Sequence, residues 1–210
     1  MTKASYTDMK CGLLGEHLGH SFSPLIHSEL ADYSYKLCEV APQELESFLK
    51  FGELDAFNVT IPYKKAVMPY LDEIDSSAAA IGSVNTVVRD KDGRLCGYNT
   101  DYFGFDYTVT LSGVDVSGKK ALVLGRGGAA LTVCAVLRDR GVSECVMLGS
   151  ADNTPENIEK YSDFEVIVNA TPVGMYPNNS KAPIKLSSFQ AFRNAVLCST
   201  SYSILLARHF

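Results

Sequence analysis

The chain has 210 residues, 46% of them hydrophobic and 20% charged, with 16 Gly and 8 Pro; this composition buries a core and excludes a disordered or fibrous protein. With 19 basic and 24 acidic residues the net charge is −5, and no Lys/Arg cluster is long enough to follow a phosphate backbone, so nucleic acid is not expected as a partner. No apolar run reaches the ~18–20 residues that span a bilayer and segment 1–10 is polar, so a soluble, cytoplasmic protein with no membrane partner is expected.

In chain order, Cys11 to Gly15 (CGLLG) reads as a buried strand closed by a Gly turn. Residues 24–33 (PLIHSELADY) carry Leu25, Ile26, Leu30 and Tyr33 at near-helical spacing, and predict a helix. Residues 35–40 predict a second strand, 42–51 (PQELESFLKF) a helix with Pro in its first turn, and 56–61 (AFNVTI) a third strand that Pro62 stops. A helix is expected over 64–71. Residues 81–89 and 94–99, joined by Asp90-Lys91-Asp92-Gly93, predict a β-hairpin.

The second half has another rhythm. Residues 119–124 (KKALVL) form a short apolar run, then a Gly-rich turn, then 129–139 with an apolar side; 145–148, 165–169 and 195–197 are further strand candidates. Apolar strands alternating with helices predict a parallel sheet with right-handed crossovers. The six cysteines, at 11, 38, 96, 134, 145 and 198, include no C-x-x-C pair and are expected as free thiols, mostly buried. His17 and His20 are close in sequence but lack the further ligands of a metal site, so no metal is expected.

Gly125-Arg126-Gly127-Gly128-Ala129-Ala130 fits G-x-G-x-x-A directly after a strand and at the start of a helix, where small residues let a pyrophosphate reach backbone N–H groups. A tight strand–helix turn without a ligand is the simpler alternative; the flanking elements favour the dinucleotide. The strand that follows ends in Leu148-Gly149-Ser150-Ala151-Asp152, with neither an acid where a ribose 2′-hydroxyl would be held nor a basic clamp for a 2′-phosphate. Arg126 could supply positive charge to a phosphate, or be a solvated surface side chain.

Three polar clusters interrupt the apolar first half: Ser21 and Ser23; Asn58, Thr60 and Lys64; and Asn85, Thr86, Asn99, Thr100 and Asp101. Taken singly they read as caps, turn formers and a surface lysine. Together, at strand ends and in a chain with a nucleotide turn, they suit a small polyhydroxylated acid: hydroxyls and amides bind its OH groups, and Lys with Asp moves a proton.

In order, GHSFSPLIHS, FNVTIPYKKAVMPYLDEID, AIGSVNTVV, GYNTDYFGF, LGRGGAA and VNATPVGM resemble the shikimate dehydrogenases. The resemblance runs from about Lys10 to Met175. It implies an α/β fold with an N-terminal substrate-binding and catalytic domain, 1–103, and an incomplete Rossmann-like nucleotide-binding domain, 104–210, with the active-site groove between them. The implied reaction is reduction of 3-dehydroshikimate to shikimate with NADPH, in aromatic amino-acid biosynthesis. By resemblance Ser21 and Ser23 meet the substrate carboxylate, Thr60, Asn85 and Asp101 its hydroxyls, and Lys64 with Asp101 is catalytic. Gly125, Gly127, Gly128 and Ala129 match the phosphate loop, and Asn169, Thr171 and Met175 the segment near the cofactor's ribose and nicotinamide.

Three departures accompany it. Gly149-Ser150-Ala151 stands where the family has Asn-Arg-Thr, whose Arg binds the 2′-phosphate, so NAD(H) is the alternative to NADP(H). Leu197 is followed by Cys198-Ser199-Thr200-Ser201-Tyr202-Ser203 instead of an Asp-x-x-Tyr-Asn-Pro-like segment, which leaves Tyr202 without an assigned role. The family's last strands and helices have no counterpart before Phe210, so a truncated or frame-shifted end, with an exposed sheet edge, is expected. The alternatives to the implied function are an NAD-using quinate/shikimate dehydrogenase and a remnant with impaired turnover.

Overall fold

The computed structural model describes residues 4–19, 21–152, 154–174, 180–184, 197–199 and 203–205. The chain divides into two units, 1–100 and 101–210.

In the first unit β1 (Ala4–Gly15) leads through α1 (Ser23–Leu30) into β2 (Ala31–Glu39). After a short 3₁₀ turn, α2 (Leu45–Phe51) returns the chain to β3 (Ala56–Val59). Then come α3 (Tyr63–Ala66), β4 (Glu73–Ile74), α4 (Ser76–Ile81), β5 (Thr86–Arg89) and β6 (Leu95–Tyr98). The six strands make one mixed sheet in the order β2-β1-β3-β5-β6-β4. β2, β1 and β3 are parallel, whereas β5 runs antiparallel to both β3 and β6. Leu14, Leu49, Val59, Val67, Val84 and Val87 are among its fully buried side chains and join one core.

The second unit opens with α5 (Asp101–Ser112), followed by β7 (Lys120–Leu124), α6 (Gly128–Asp139), β8 (Glu144–Leu148), α7 (Pro155–Glu159) and β9 (Val166–Asn169). β10 (Leu197–Ser199) and β11 (Ser203–Leu205) complete a sheet ordered β11-β10-β9-β7-β8. β8, β7, β9 and β10 are parallel; β11 is antiparallel to β10. Ala121 and Val123 enter the core under α5 and α6, while Leu122 and Leu124 enter a second core with Ile158, Phe164 and Ile184. A strand buried on both faces has no reason to alternate with polar residues, which explains the unbroken apolar run.

Several sequence expectations are corrected. The helix expected over 24–33 stops at Leu30: Ala31 is extended, with φ −159° and ψ 172°, and is paired with Ala4 of β1. Ladder formation along β1 captures 31–33, overriding the helical spacing. The apolar residues of α1 do not form a buried face: Phe22 at its start, Leu25 and Leu30 are 65%, 63% and 63% exposed. The helix expected over 64–71 is α3 plus a 3₁₀ turn at Met68–Tyr70. The hairpin strand expected from Ile81 starts at Thr86, because Ala78–Ile81 belong to α4, which Asp75 caps through the Ser77 N–H and left-handed Gly82 ends. α4, α5, α7, β4 and β11 have no counterpart among the elements the sequence predicts. Cys11 and Cys134 are buried and Cys38, Cys96 and Cys145 half-buried, all as free thiols, with the Sγ atoms of Cys134 and Cys145 3.0 Å apart. The Cys198 side chain lies outside the described residues.

Candidate active site

Parallel α/β sheets bind ligands beyond the carboxyl ends of their strands, where the strand order reverses. In the first unit that point is between β1 and β3, because the chain goes to β2 on one side of β1 and to β3 on the other. Gly15 ends β1 beside Thr60: a Cβ at Gly15 would lie 2.8 Å from Thr60 Cγ2, and the Thr60 N–H donates to Leu14 O at 2.9 Å. The loop after β1 carries Ser21, whose N–H donates to Leu18 O at 2.9 Å and whose Oγ accepts the Ser23 N–H at 3.2 Å. Neither serine is a side-chain N-cap of α1, whose N-cap is Phe22 without such a bond.

Lys64 sits in the short α3, half-buried. Its turn is anchored by the buried Tyr63, whose hydroxyl donates to Val40 O at 2.5 Å, and by the Val84 N–H, which donates to Lys64 O at 2.8 Å. Two contacts thus hold the turn that carries the lysine.

Because β5 is antiparallel to β3 and β6, the start of β5 and the end of β6 lie beside the end of β3. A chain of side-chain hydrogen bonds crosses there. The Tyr35 hydroxyl donates to Asn58 Oδ1 at 2.8 Å, Asn58 Nδ2 to Thr86 Oγ1 at 3.3 Å, and Thr86 Oγ1 to Asn85 Oδ1 at 3.1 Å. Asn85 Nδ2 donates in turn to Thr100 Oγ1 at 2.9 Å. At the other end the His27 ring stacks on Tyr35, centroids 3.8 Å apart, with Nδ1 2.5 Å from the Tyr33 hydroxyl. Burial holds the His27 imidazole below its ordinary pKa, partly offset by a hydrogen bond to Asn58. Asn99 is buried and donates to Ser83 O at 2.9 Å. Asn58, Thr86 and Thr100 were visible as polar interruptions; His27 and Tyr35 were missed, since an aromatic at strand spacing carries no sign of its partner on another strand. Asp101 directly follows Thr100 and is the first residue of α5.

In the second unit the reversal lies between β7 and β9. Gly125 follows β7 with φ +126°, and a Cβ there would come within 2.9 Å of Ala170 O; only glycine fits this turn. Gly127 faces open space and is the N-cap of α6, with no side chain capping it. Gly128 and Ala129 begin the helix. The turn therefore leaves N–H groups uncapped and room in front of them, which suits a dinucleotide pyrophosphate. Asn169, at the end of β9, accepts the Thr171 N–H and hydroxyl at 3.0 and 2.7 Å and donates to Val173 O at 2.9 Å; this pair shapes the loop beside Gly125. Met175 and His20 lie outside the described residues.

The end of β8 differs from its sequence reading. Asp152 folds back in a 3₁₀ turn, its Oδ2 accepting the Gly149 N–H at 3.3 Å and pairing with Arg126 Nη2 at 2.8 Å. An acid and a base both stand at the strand end, contributed by the next turn and by the Gly loop. Among the described residues no group of three or more His, Cys, Asp or Glu side chains converges as a metal site, and no helix is long and apolar enough to cross a membrane.

A mixed α/β unit with hydroxyl and amide groups near its strand-order reversal, followed by a Rossmann-like unit with a glycine turn at the other reversal, has the layout of a two-unit α/β oxidoreductase. Residues 13–87 match the family described as the shikimate dehydrogenase substrate binding domain. The chain is 36% identical over 205 residues to a protein of Clostridium beijerinckii named shikimate dehydrogenase (NADP(+)), covering 88% of this chain and 76% of that one. The crystal structure of shikimate dehydrogenase 1 from Peptoclostridium difficile superposes with a TM-score of 0.79 at 32% identity, covering 93% of this chain and 78% of that one. The Thermus thermophilus enzyme in complex with NADP(H) and shikimate superposes with a TM-score of 0.72 at 31% identity, covering 86% of this chain and 75% of that one. The chain belongs to the shikimate dehydrogenase family.

Proposed function

We propose that this chain reduces 3-dehydroshikimate to shikimate with NADPH, and runs the reverse oxidation with NADP⁺. The observation that carries the reading is the polar chain from Asn58 through Thr86 and Asn85 to Thr100, flanked by Thr60 and the backbone-anchored Lys64, in a family member that also holds an intact glycine turn. The domain of residues 1–103 binds the substrate and that of residues 104–210 the dinucleotide.

Ser21 and Ser23 take the substrate carboxylate through their hydroxyls. Thr60, Asn85 and Asp101 take the ring hydroxyls, which fixes the face of the ring presented for reaction. Gly125, Gly127, Gly128 and Ala129 receive the pyrophosphate, with Asn169 and Thr171 toward the ribose and nicotinamide. The bound NADPH supplies a hydride to the carbonyl carbon. As the C=O π bond breaks, negative charge grows on its oxygen; the Lys64 ammonium stabilises that charge and gives its Nζ proton to the oxygen, completing the CH–OH group. Asp101 holds the adjacent hydroxyl, and solvent returns a proton to the amine.

The test is a turnover assay on the purified chain, following nicotinamide absorbance at 340 nm with shikimate and NADP⁺, and with quinate and NAD⁺ as comparators. Shikimate-dependent reduction of NADP⁺ is expected; its absence in a folded sample that binds shikimate would overturn the assignment.

A further inference from the structure

We propose that Arg126 and Asp152 together read the 2′ position of the cofactor's adenosine ribose, Arg126 as the clamp for a 2′-phosphate and Asp152 as the carboxylate that competes for it. The proposal rests on the dinucleotide reading above. In a Rossmann-type unit the end of the second parallel strand is where the ribose 2′ substituent is recognised, by an acid for a hydroxyl or a base for a phosphate. That strand is β8, and its next residue, Gly149, has no side chain. Arg126 reaches over it from the glycine loop: a Cβ at Gly149 would meet Arg126 Cδ at 3.3 Å, Asp152 Oδ2 at 3.4 Å and Arg126 Nε at 3.5 Å. Ser150 beside it is uncharged, so the positive charge the strand end lacks in its own sequence arrives from residue 126, within the phosphate loop itself.

The pair is built to exchange partners. Arg126 and Asp152 are 62% and 37% exposed, and such solvent-facing ion pairs are weakly held. A guanidinium binds a phosphate dianion in a bidentate fork more strongly than it holds an exposed carboxylate. Asp152 keeps a partner when the guanidinium leaves, because its Oδ2 also accepts the Gly149 N–H at 3.3 Å. The carboxylate stays in place, opposing a 2′-phosphate by like charge and accepting from a 2′-hydroxyl. The chain therefore binds the phosphorylated cofactor through a residue on the glycine loop, with a preference that Asp152 holds down.

Titration calorimetry of the full chain with adenosine 2′,5′-bisphosphate and with 5′-AMP tests this without turnover. Arg126→Ala is expected to weaken bisphosphate binding about tenfold or more while AMP affinity stays within about twofold. Asp152→Asn is expected to tighten the bisphosphate severalfold. Equal losses for both ligands in Arg126→Ala, or an unchanged bisphosphate affinity, would overturn the clamp; a weaker bisphosphate complex in Asp152→Asn would overturn the competing role. Failure of the folded, unsubstituted chain to bind either nucleotide would instead overturn the dinucleotide reading and the clamp with it, whereas shikimate binding would be untouched by either result.

Discussion

Both ends of the Asn85 amide are committed to Thr100: Oδ1 accepts the Thr100 N–H at 2.8 Å and Nδ2 donates to Thr100 Oγ1 at 2.9 Å. Asn85 also joins three strand ends through its backbone, donating to Tyr98 O at 3.0 Å and accepting the Val59 N–H at 2.7 Å. The residue is buried, so the amide is oriented before any ligand arrives, and Thr86 Oγ1 adds a further donor at 3.1 Å. Asn85→Ala removes the amide and with it every side-chain hydrogen bond of the residue. It is expected to cost about 1–3 kcal/mol in urea denaturation, the range for stranding a backbone N–H and two hydroxyls, and to raise the KM for shikimate. Unchanged stability would mean the amide is not the joint between these strands.

Lys64 is held by backbone contacts that do not involve its amine, so truncating the side chain leaves α3 in place. Lys64→Ala is expected to lower kcat by about 10²–10⁴ with a small change in KM. Lys64→Arg should stay slow, because a guanidinium does not release a proton at neutral pH. Either variant turning over at the parent rate excludes Lys64 as the proton donor.

Two glycines of the same turn separate folding from binding. Gly125→Ala places a methyl 2.9 Å from Ala170 O at a φ of +126°, and is expected to destabilise the second unit by about 1–3 kcal/mol. Gly127→Ala meets nothing within 4 Å, at an ordinary φ of −76°. It should melt like the parent yet lose NADPH affinity, since its methyl fills the approach of the pyrophosphate. Matching behaviour of the two variants in both thermal melts and binding titrations would contradict this separation.

Ser83 is fully buried and its Oγ has no hydrogen-bond partner among the described residues. A buried hydroxyl without a partner costs more than the methyl that replaces it. Ser83→Ala should therefore raise stability by about 1 kcal/mol in denaturant unfolding, with the Asn99 bond to Ser83 O retained because it uses the backbone. A loss of stability would reveal a partner for the hydroxyl.

His27 gives the first unit a pH dependence of known sign. Burial lowers its folded pKa below the ordinary 6.5, so below that value the unfolded chain takes up a proton that the folded chain resists. The stability contribution is present above about pH 6.5 and is lost as pH falls toward the folded pKa. Among the described residues the groups against the ring are Tyr33 and Tyr35 of β2 and Asn58 of β3. Denaturation of the parent and of His27→Gln between about pH 5 and 8 should show a shallower slope in the variant; parallel profiles would remove His27 as the source.

Much of this molecule was legible along the chain because the signals are short in range. The run Ala121–Leu124 followed by Gly125-x-Gly127 is a strand, a tight turn and a helix start within a dozen residues, each set by its own side chains. The ordered motifs around Ser21, Lys64, Asn85 and Asp101 were enough to name a family, since the spacing of motifs survives whatever the contacts are. Boundaries fared less well: the expected helix gave up Ala31, Asp32 and Tyr33 to β2, which pairs with β1, and the expected hairpin strand lost Ile81 to α4.

Composition, motif order and the glycine turn decided the α/β class and which side chains are available to the chemistry. Only the folded chain decided what those side chains touch. Asn58 meets Thr86 across 28 residues and Asn85 meets Thr100 across 15, because β5 pairs antiparallel with β3 and β6 in one register, and a shift of one residue would turn each of these groups to the other face. Arg126 meets Asp152 because β7 and β8 run parallel in register, Leu124 beside Leu148, and the chain turns back over Gly149. Neither register is set by the residues that depend on it; both follow from burying apolar side chains elsewhere along the same strands.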